Sequence, residues 1–113
     1  MHELSITQSI LSIALEKAKE AQAKKISRIS LVIGEMSGIV DECVQFYFEQ
    51  FSKDTIAAGA SLCFSRPPAQ FRCRHCATTF TPNDLDWTCP GCHRQEIEIV
   101  SGRECYVESI EVD

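Results

Sequence analysis

Four cysteines in two close pairs constrain the fold of this chain more than any other feature. Cys73 and Cys76 form one Cys-x-x-Cys pair, Cys89 and Cys92 form a second, and twelve residues separate the pairs. Such a segment bends into a tight knuckle that directs two thiolates at one point, so two knuckles supply the four sulfurs of a tetrahedral Zn²⁺ site. Because four sulfur ligands leave no open coordination position, the sequence predicts a zinc ion that holds structure and does not activate water.

Two other interpretations of the cysteine pairs fit less well. A thioredoxin-like redox site uses one Cys-x-x-Cys pair at a strand-to-helix junction, not two pairs flanking a polar segment. A nucleic-acid-binding ribbon needs a basic stripe, whereas residues 69–95 contain three arginines and two aspartates in a chain of net charge -5. Since an acidic surface disfavours contact with phosphates, we expect no nucleic-acid partner.

A glycine and two histidines accompany the pairs. We expect Gly91 to supply a positive φ that a knuckle often needs. His75 and His93 could hydrogen-bond to a thiolate or replace one as ligand, but the favoured interpretation is an exposed polar residue in a tight turn.

Length and composition indicate one ordinary domain, or a small domain that carries a smaller one. The chain has 113 residues, of which 44% are hydrophobic and 24% charged, as in soluble globular proteins. No apolar run reaches the length of a membrane span, and the N-terminal residues show no basic region before a hydrophobic stretch, as a signal peptide would. We therefore expect a cytoplasmic protein without a membrane partner. The cysteine count is odd, and Cys43, Cys63 and Cys105 are expected to be small buried thiols.

Hydrophobic periodicity predicts two helices and several strands. A helix is expected over residues 4–23, and Ser5-Ile6-Thr7-Gln8 fits a capping box with Ser5 as N-cap. If Ser5 is the cap, residues 1–4 lie extended outside the helix. A second helix is expected from Asp41, as its cap, to about Lys53, with Val44, Tyr47, Phe48 and Phe51 on one face. Strands are expected at Ile26–Ile33 and at residues 60–65, 97–100 and 105–112.

These elements predict an α/β (α+β) fold of two helices on a small mixed sheet, with an inserted four-cysteine zinc-ribbon lobe. Pro67-Pro68 marks the predicted boundary. We expect residues 1–68 plus 95–113 to form the α/β domain and residues 69–94 to form the zinc ribbon.

His2 at the start of the chain is a second candidate metal ligand. The α-amine, the deprotonated His2 backbone nitrogen and an imidazole nitrogen can hold one ion in fused chelate rings, with the Glu3 backbone nitrogen or carboxylate as a fourth donor. Nitrogen donors in a plane suit Ni(II) or Cu(II), whereas Zn²⁺ prefers a tetrahedron.

The whole pattern resembles the HypA/HybF family, the nickel metallochaperones of [NiFe]-hydrogenase maturation. The resemblance rests on Met1-His2-Glu3, the helix that follows, the strand ending Ile33-Gly34-Glu35, the two cysteine pairs and the terminal Ser109–Val112. It implies a nickel site at Met1, His2 and Glu3 and a structural zinc site at Cys73, Cys76, Cys89 and Cys92. It also implies a maturation GTPase and the hydrogenase large subunit as partners, with urease served by some relatives.

One departure from the family concerns the position two residues after the first cysteine pair. Some members carry a histidine there, whereas this chain has Thr78; His93, after the second pair, does match.

We therefore predict a nickel metallochaperone that binds Ni(II) at its N-terminus, delivers it to a partner, and is not an enzyme. The alternative is a zinc-ribbon interaction scaffold without a second metal. An enzyme is the third interpretation, since Glu16, Glu35 and Glu49 could act as acids or bases but have no visible nucleophile partner. Whether the chain forms a homo-oligomer is left open.

Overall fold

The structure, a computed structural model, describes residues 2–82 and 86–113. Two helices and six strands follow in the order α1 (Glu3–Glu20), β1 (Ile26–Ile33), α2 (Asp41–Phe51), β2 (Ser61–Ser65), β3 (Gln70–Cys73), β4 (Thr79–Phe80), β5 (Ile97–Ser101) and β6 (Cys105–Val112). They form two three-stranded sheets, with strand orders β2-β1-β6 and β4-β3-β5.

The first sheet is mixed, as expected from the sequence. The central strand β1 pairs parallel with β2 and antiparallel with β6. Cross-strand partners such as Leu31 with Phe64 and Ile29 with Ile110 carry apolar side chains toward the helices. Together with α1 and α2 they build the hydrophobic core, whose buried members include Ile10, Ala14, Ile26, Ile29, Leu31, Ile33, Val44 and Phe48. The predicted fold class, two helices on a small mixed sheet, is confirmed.

Helix α1 begins at Glu3, one residue before the predicted range, and the predicted cap is wrong. Its N-cap is His2, no side chain caps it, and Ser5 lies inside the helix. The Thr7 hydroxyl donates to the Glu3 carbonyl oxygen at 2.5 Å, while the Glu3 carboxylate accepts the Val40 N–H at 3.2 Å. These contacts draw residue 3 into the first turn, where an acidic side chain also suits the helix dipole.

Helix α1 also ends before residue 23, because a capping turn closes it. Gln22 adopts a φ of 56°, and the N–H groups of Gln22 and Ala23 donate to the carbonyl oxygens of Lys19 and Ala18. This is the Schellman arrangement, in which a left-handed residue satisfies the last carbonyls of a helix.

Helix α2 presents the expected apolar face, with a different cap. Val44 and Phe48 are buried, and Tyr47 stacks on Phe51 with ring centroids 6.0 Å apart. Val40, not Asp41, is the N-cap. Asp41 is the first helical residue, and its carboxylate pairs with Arg66 at 2.5 Å.

Three single cysteines expected to be buried are exposed: Cys43, Cys63 and Cys105. Cys63 alternates with Leu62 and Phe64, which pack against the core. Its side chain therefore lies on the other face of the sheet, because neighbouring residues of a strand point to opposite faces. Cys43 lies beside buried Val44, off the core face of α2.

Strand β5 pairs with β3 in the second sheet, Phe71 opposite Ile99. The predicted division into residues 1–68 plus 95–113 and residues 69–94 stays a prediction, and hydrophobic alternation does not reveal which neighbour a strand pairs with. Only β6 returns to the first sheet.

Candidate metal centre

Two short turns bring the four paired cysteines together. Cys73 ends β3, and Cys76 follows it in the turn before β4; Cys89 and Cys92 lie in a second turn before β5. The four Sγ atoms all lie within 4.8 Å of one another. Cys73 Sγ lies 3.5 Å from Cys92 Sγ, and Cys76 Sγ lies 3.5 Å from Cys89 Sγ.

The spacing of the sulfurs fits a tetrahedral zinc ion. A Zn–S distance of about 2.3 Å places tetrahedral ligands roughly 3.8 Å apart. The two 3.5 Å separations and the 4.8 Å upper limit bracket that value. Small sulfur movements would therefore complete the coordination, and the group fits a structural zinc site.

Backbone amides point at the sulfurs. The N–H of His75 lies 3.4 Å from Cys73 Sγ, and the N–H of Gly91 lies 3.3 Å from Cys89 Sγ. Cys73 and Cys89 are buried, whereas Cys76 is exposed. The buried sulfurs thus meet fixed dipoles that stabilise thiolate charge.

The two less buried cysteines have opposite pKa shifts. Hydrogen bonds from the hydroxyl and N–H of Thr78 lower the pKa of Cys76 to about 6. The Arg94 N–H favours the Cys92 thiolate, but burial and the neighbouring sulfurs outweigh it and raise the pKa of Cys92 to about 12. Zinc binding requires all four cysteines as thiolates, so it releases the protons that they carry without metal.

Gly91 does not supply the positive φ expected of it. The left-handed positions are Ala77 and His93, each with a φ of 64°, and each directly follows a cysteine pair. Gly91 instead leaves room: a Cβ there would lie 3.0 Å from Thr78 Oγ1 and 3.7 Å from the sulfurs of Cys76 and Cys89.

The two nearby histidines are exposed. In residues 2–82 and 86–113, the only group of three or more closely spaced His, Cys, Asp or Glu ligand atoms is that of the four cysteines. It contains neither His75 nor His93.

The N-terminal candidates lie at the start of α1 and are not part of this cysteine group. His2 is exposed, whereas Glu3 is only 6% exposed. Glu3 has a lowered pKa because its own backbone N–H and that of Val40 donate to its carboxylate. Met1 lies outside the described residues.

Two further contacts at these sites were not predicted from the sequence: the Val40 N–H on Glu3 and the Thr78 hydroxyl, 3.0 Å from Cys76 Sγ. The first joins residues 37 positions apart, so no local pattern could reveal it. The second has a local signal, a hydroxyl residue two positions after a metal-ligating cysteine.

Comparison with known proteins gives a consistent result over the whole chain. Residues 1–112 match the family model described as "Hydrogenase/urease nickel incorporation, metallochaperone, hypA". A hydrogenase maturation factor HypA of Dehalococcoides mccartyi is 51% identical over 113 residues, covering 100% of this chain and 95% of that protein. The hydrogenase maturation factor HypA of Caldanaerobacter subterraneus is 41% identical over 114 residues, and the alignment covers 100% of this chain and 100% of that protein.

Solved structures of the same kind share the fold. The solution structure of the Ni metallochaperone HypA from Helicobacter pylori superimposes with a TM-score of 0.70 at 32% identity, covering 99% of this chain and 97% of that one. A second structure, titled "Solution structure of HypA protein", gives a TM-score of 0.77, also at 32% identity, and covers 99% of this chain and 96% of that one. With a family model and relatives that match over the full length, this chain belongs to the HypA family of hydrogenase and urease nickel-incorporation metallochaperones.

Proposed function

We propose that this member of the family binds Ni(II) through Met1, His2 and Glu3 and hands it on during [NiFe]-hydrogenase maturation. The proposal rests on the position of His2, whose exposed imidazole lies at the N-cap of α1. A ligand at the exposed end of a helix can exchange its ion with a partner, which a buried cage would prevent.

The start of α1 also supports the use of backbone nitrogens as ligands. The first intrahelical hydrogen bond is donated by the Ile6 N–H to the His2 carbonyl oxygen at 3.0 Å. The amides of His2 and Glu3 precede it, so deprotonating them breaks none of the backbone-to-backbone hydrogen bonds of the helix. The one contact given up is that of the Glu3 N–H with its own carboxylate. An amine, two amide nitrogens and an imidazole form a planar set that suits Ni(II).

Glu3 is expected to contribute its backbone nitrogen and not its carboxylate. The carboxylate accepts the Val40 N–H and is nearly buried. Moving it onto the metal would leave the Val40 amide at the start of α2 without that acceptor.

Zinc, we infer, is bound by Cys73, Cys76, Cys89 and Cys92 and has a structural role. Four thiolates close its coordination shell, so no position is available for water or substrate. The chain therefore acts as a carrier and not as an enzyme, in keeping with the maturation-factor names of its relatives.

The proposed partners are the maturation GTPase and the hydrogenase large subunit, in the cytoplasm, with neither nucleic acid nor membrane involved. Within residues 2–82 and 86–113, no helix combines the length and the apolarity needed to cross a bilayer.

A single substitution tests the nickel site. His2→Ala in untagged protein should abolish stoichiometric Ni(II) binding, measured by calorimetry, and leave the zinc content near one per chain. His75→Ala, which removes another exposed histidine, should bind nickel as the wild type does. Unchanged nickel binding by His2→Ala would refute the site, and a wild type that binds no nickel would favour the zinc-ribbon scaffold.

A further inference from the structure

The two cysteine turns are nearly equivalent, which makes a single difference between them informative. In the first, the Cys73 N–H donates to the Thr78 carbonyl oxygen at 2.9 Å and the Ala77 N–H donates to the Cys73 carbonyl oxygen at 2.9 Å. In the second turn, the Cys89 N–H donates to the Arg94 carbonyl oxygen at 2.8 Å and the His93 N–H donates to the Cys89 carbonyl oxygen at 2.9 Å.

Thr78 and Arg94 therefore occupy equivalent positions, and their backbone N–H groups donate to Cys76 and Cys92 respectively. With the N–H groups of His75 and Gly91 on the other two sulfurs, each of the four sulfurs receives one backbone N–H. The Thr78 hydroxyl, 3.0 Å from Cys76 Sγ, is an additional contact, and the arginine side chain in the equivalent position forms no counterpart to it.

We propose that the Thr78 hydroxyl donates a hydrogen bond to the Cys76 thiolate of the zinc site. Thr78 thereby acts as a positioning residue that slows the loss of zinc. This proposal rests on the zinc assignment made above. A zinc-bound thiolate carries no proton, so the hydroxyl must be the donor in this pair.

Exposure explains why this sulfur needs an extra donor. Cys76 is exposed while Cys73 and Cys89 are buried, so water and competing ligands reach the Zn–S bond of Cys76 most easily. Four thiolates carry more negative charge than one Zn²⁺ neutralises, and a hydrogen bond to a charged acceptor is stronger than one to a neutral acceptor. A donor fixed beside the exposed sulfur favours its bound position over release.

The packing around Thr78 is built to keep that hydroxyl in place. A Cβ at Gly91 would lie 3.0 Å from Thr78 Oγ1, which is tight contact. Glycine at position 91 therefore leaves the space that the hydroxyl occupies, and Gly91→Ala should disturb the same contact from the opposite side.

The test measures zinc transfer from full-length, zinc-loaded protein to the chromophoric chelator 4-(2-pyridylazo)resorcinol. Because partners of metal ligands typically change affinity by roughly 10- to 100-fold, Thr78→Val should release zinc about tenfold faster than the wild type. Thr78→Ser, which restores the hydroxyl, should be close to the wild type. Thr79→Val, the same substitution at the exposed neighbouring position, should have no effect.

A second readout separates positioning from general loosening of the lobe. Iodoacetamide should modify Cys76 in Thr78→Val faster than in the wild type, with a smaller change at Cys92, as measured by peptide mass spectrometry. Equal increases at both cysteines would contradict a role specific to Cys76.

Substitution of Arg94, the residue equivalent to Thr78 in the second turn, gives a test that holds whether or not Thr78→Val folds. Arg94→Thr removes only an exposed ion pair with Glu96 at 3.7 Å and places a hydroxyl beside Cys92, so zinc release should slow. The proposal is overturned if Thr78→Val matches Thr79→Val, if Thr78→Ser is as fast as Thr78→Val, or if Arg94→Thr does not slow release. A wild type that holds no zinc overturns the zinc assignment itself, and this proposal with it.

Discussion

Glu3 is the residue at which the start of the chain is tied to the rest of the fold. Its carboxylate accepts the N–H of Val40, the residue that precedes α2, while its carbonyl oxygen accepts the Thr7 hydroxyl. A side chain proposed to flank the nickel ion thus also joins α1 to the start of α2. The proposed nickel site at His2 is therefore adjacent to a residue that joins both helices.

The lowered pKa of Glu3 predicts a pH-dependent contribution to stability. A carboxyl whose folded-state pKa lies below its ordinary value of 4.5 stabilises the fold fully above that pH. The contribution is lost as the pH falls through the folded-state pKa, because protonation removes the charged acceptor. In metal-free protein, Glu3→Gln should therefore lower the melting temperature at neutral pH, and the gap to the wild type should narrow below about pH 4.5.

Glu16→Gln is the matched control for that measurement, since Glu16 lies on the exposed side of the same helix. It should leave the melting temperature nearly unchanged at all pH values. A Glu3→Gln gap that stays constant into acid, or an equal effect of Glu16→Gln, would contradict the assigned role.

At the scale of elements, sequence patterns located both helices and four of the six strands, but not the short strands β3 and β4 beside the first cysteine pair. The run of β-branched residues predicted β1 with its observed bounds, Ile26–Ile33. The ends of α1 were missed because they depend on a contact with Val40 and on a left-handed Gln22. A glutamine is a rare choice for a left-handed position, so no local signal marked the stop.

The core face of α2 gives an element-scale prediction. Phe48 is 1% exposed and Phe46, two residues earlier, is 58% exposed. Phe48→Ala should reduce the free energy of unfolding by about 3–5 kcal/mol, because it removes a large buried side chain and leaves a cavity. Phe46→Ala should reduce the free energy of unfolding by less than about 1 kcal/mol, because substitutions of exposed side chains usually change it little. Urea unfolding of the two variants checks this, and similar losses would contradict the assigned face.

At the scale of the whole molecule, the chain is elongated. Its radius of gyration is 17.7 Å and its extents are 55 × 25 × 17 Å, whereas a compact chain of this length has a radius of gyration of about 13 Å. The buried core of the α/β part comes from residues 10–60, and the four cysteines lie with the second sheet. The division of the chain into an α/β domain and a zinc ribbon stays a prediction, and strand β5 pairs with the strand that ends at Cys73.

The two sheets are linked through backbone contacts beside Gly34. Its N–H donates to the Glu104 carbonyl oxygen at 2.7 Å, and the Met36 N–H donates to the Gly102 carbonyl oxygen at 2.6 Å. A Cβ on Gly34 would lie 2.2 Å from the backbone of Gly102, so glycine is needed for this close approach. The sequence revealed a turn here but not its partner, because the contact joins segments far apart in the chain.

The N-terminal α-amine distinguishes the proposed transferable nickel ion from the structural zinc ion, because only the nickel site would use it as a ligand. The tripeptide Gly-Ser-Pro added before Met1 moves the amine out of the chelate ring and leaves every side chain of the chain unchanged. The added proline is needed because its nitrogen carries no N–H and cannot take the place of the amine on the ion. The account predicts that untagged protein develops the absorption band of planar Ni(II) on titration, that the extended protein does not, and that both retain equal zinc. An extended protein that still forms the planar nickel complex, or that loses its zinc, would contradict it.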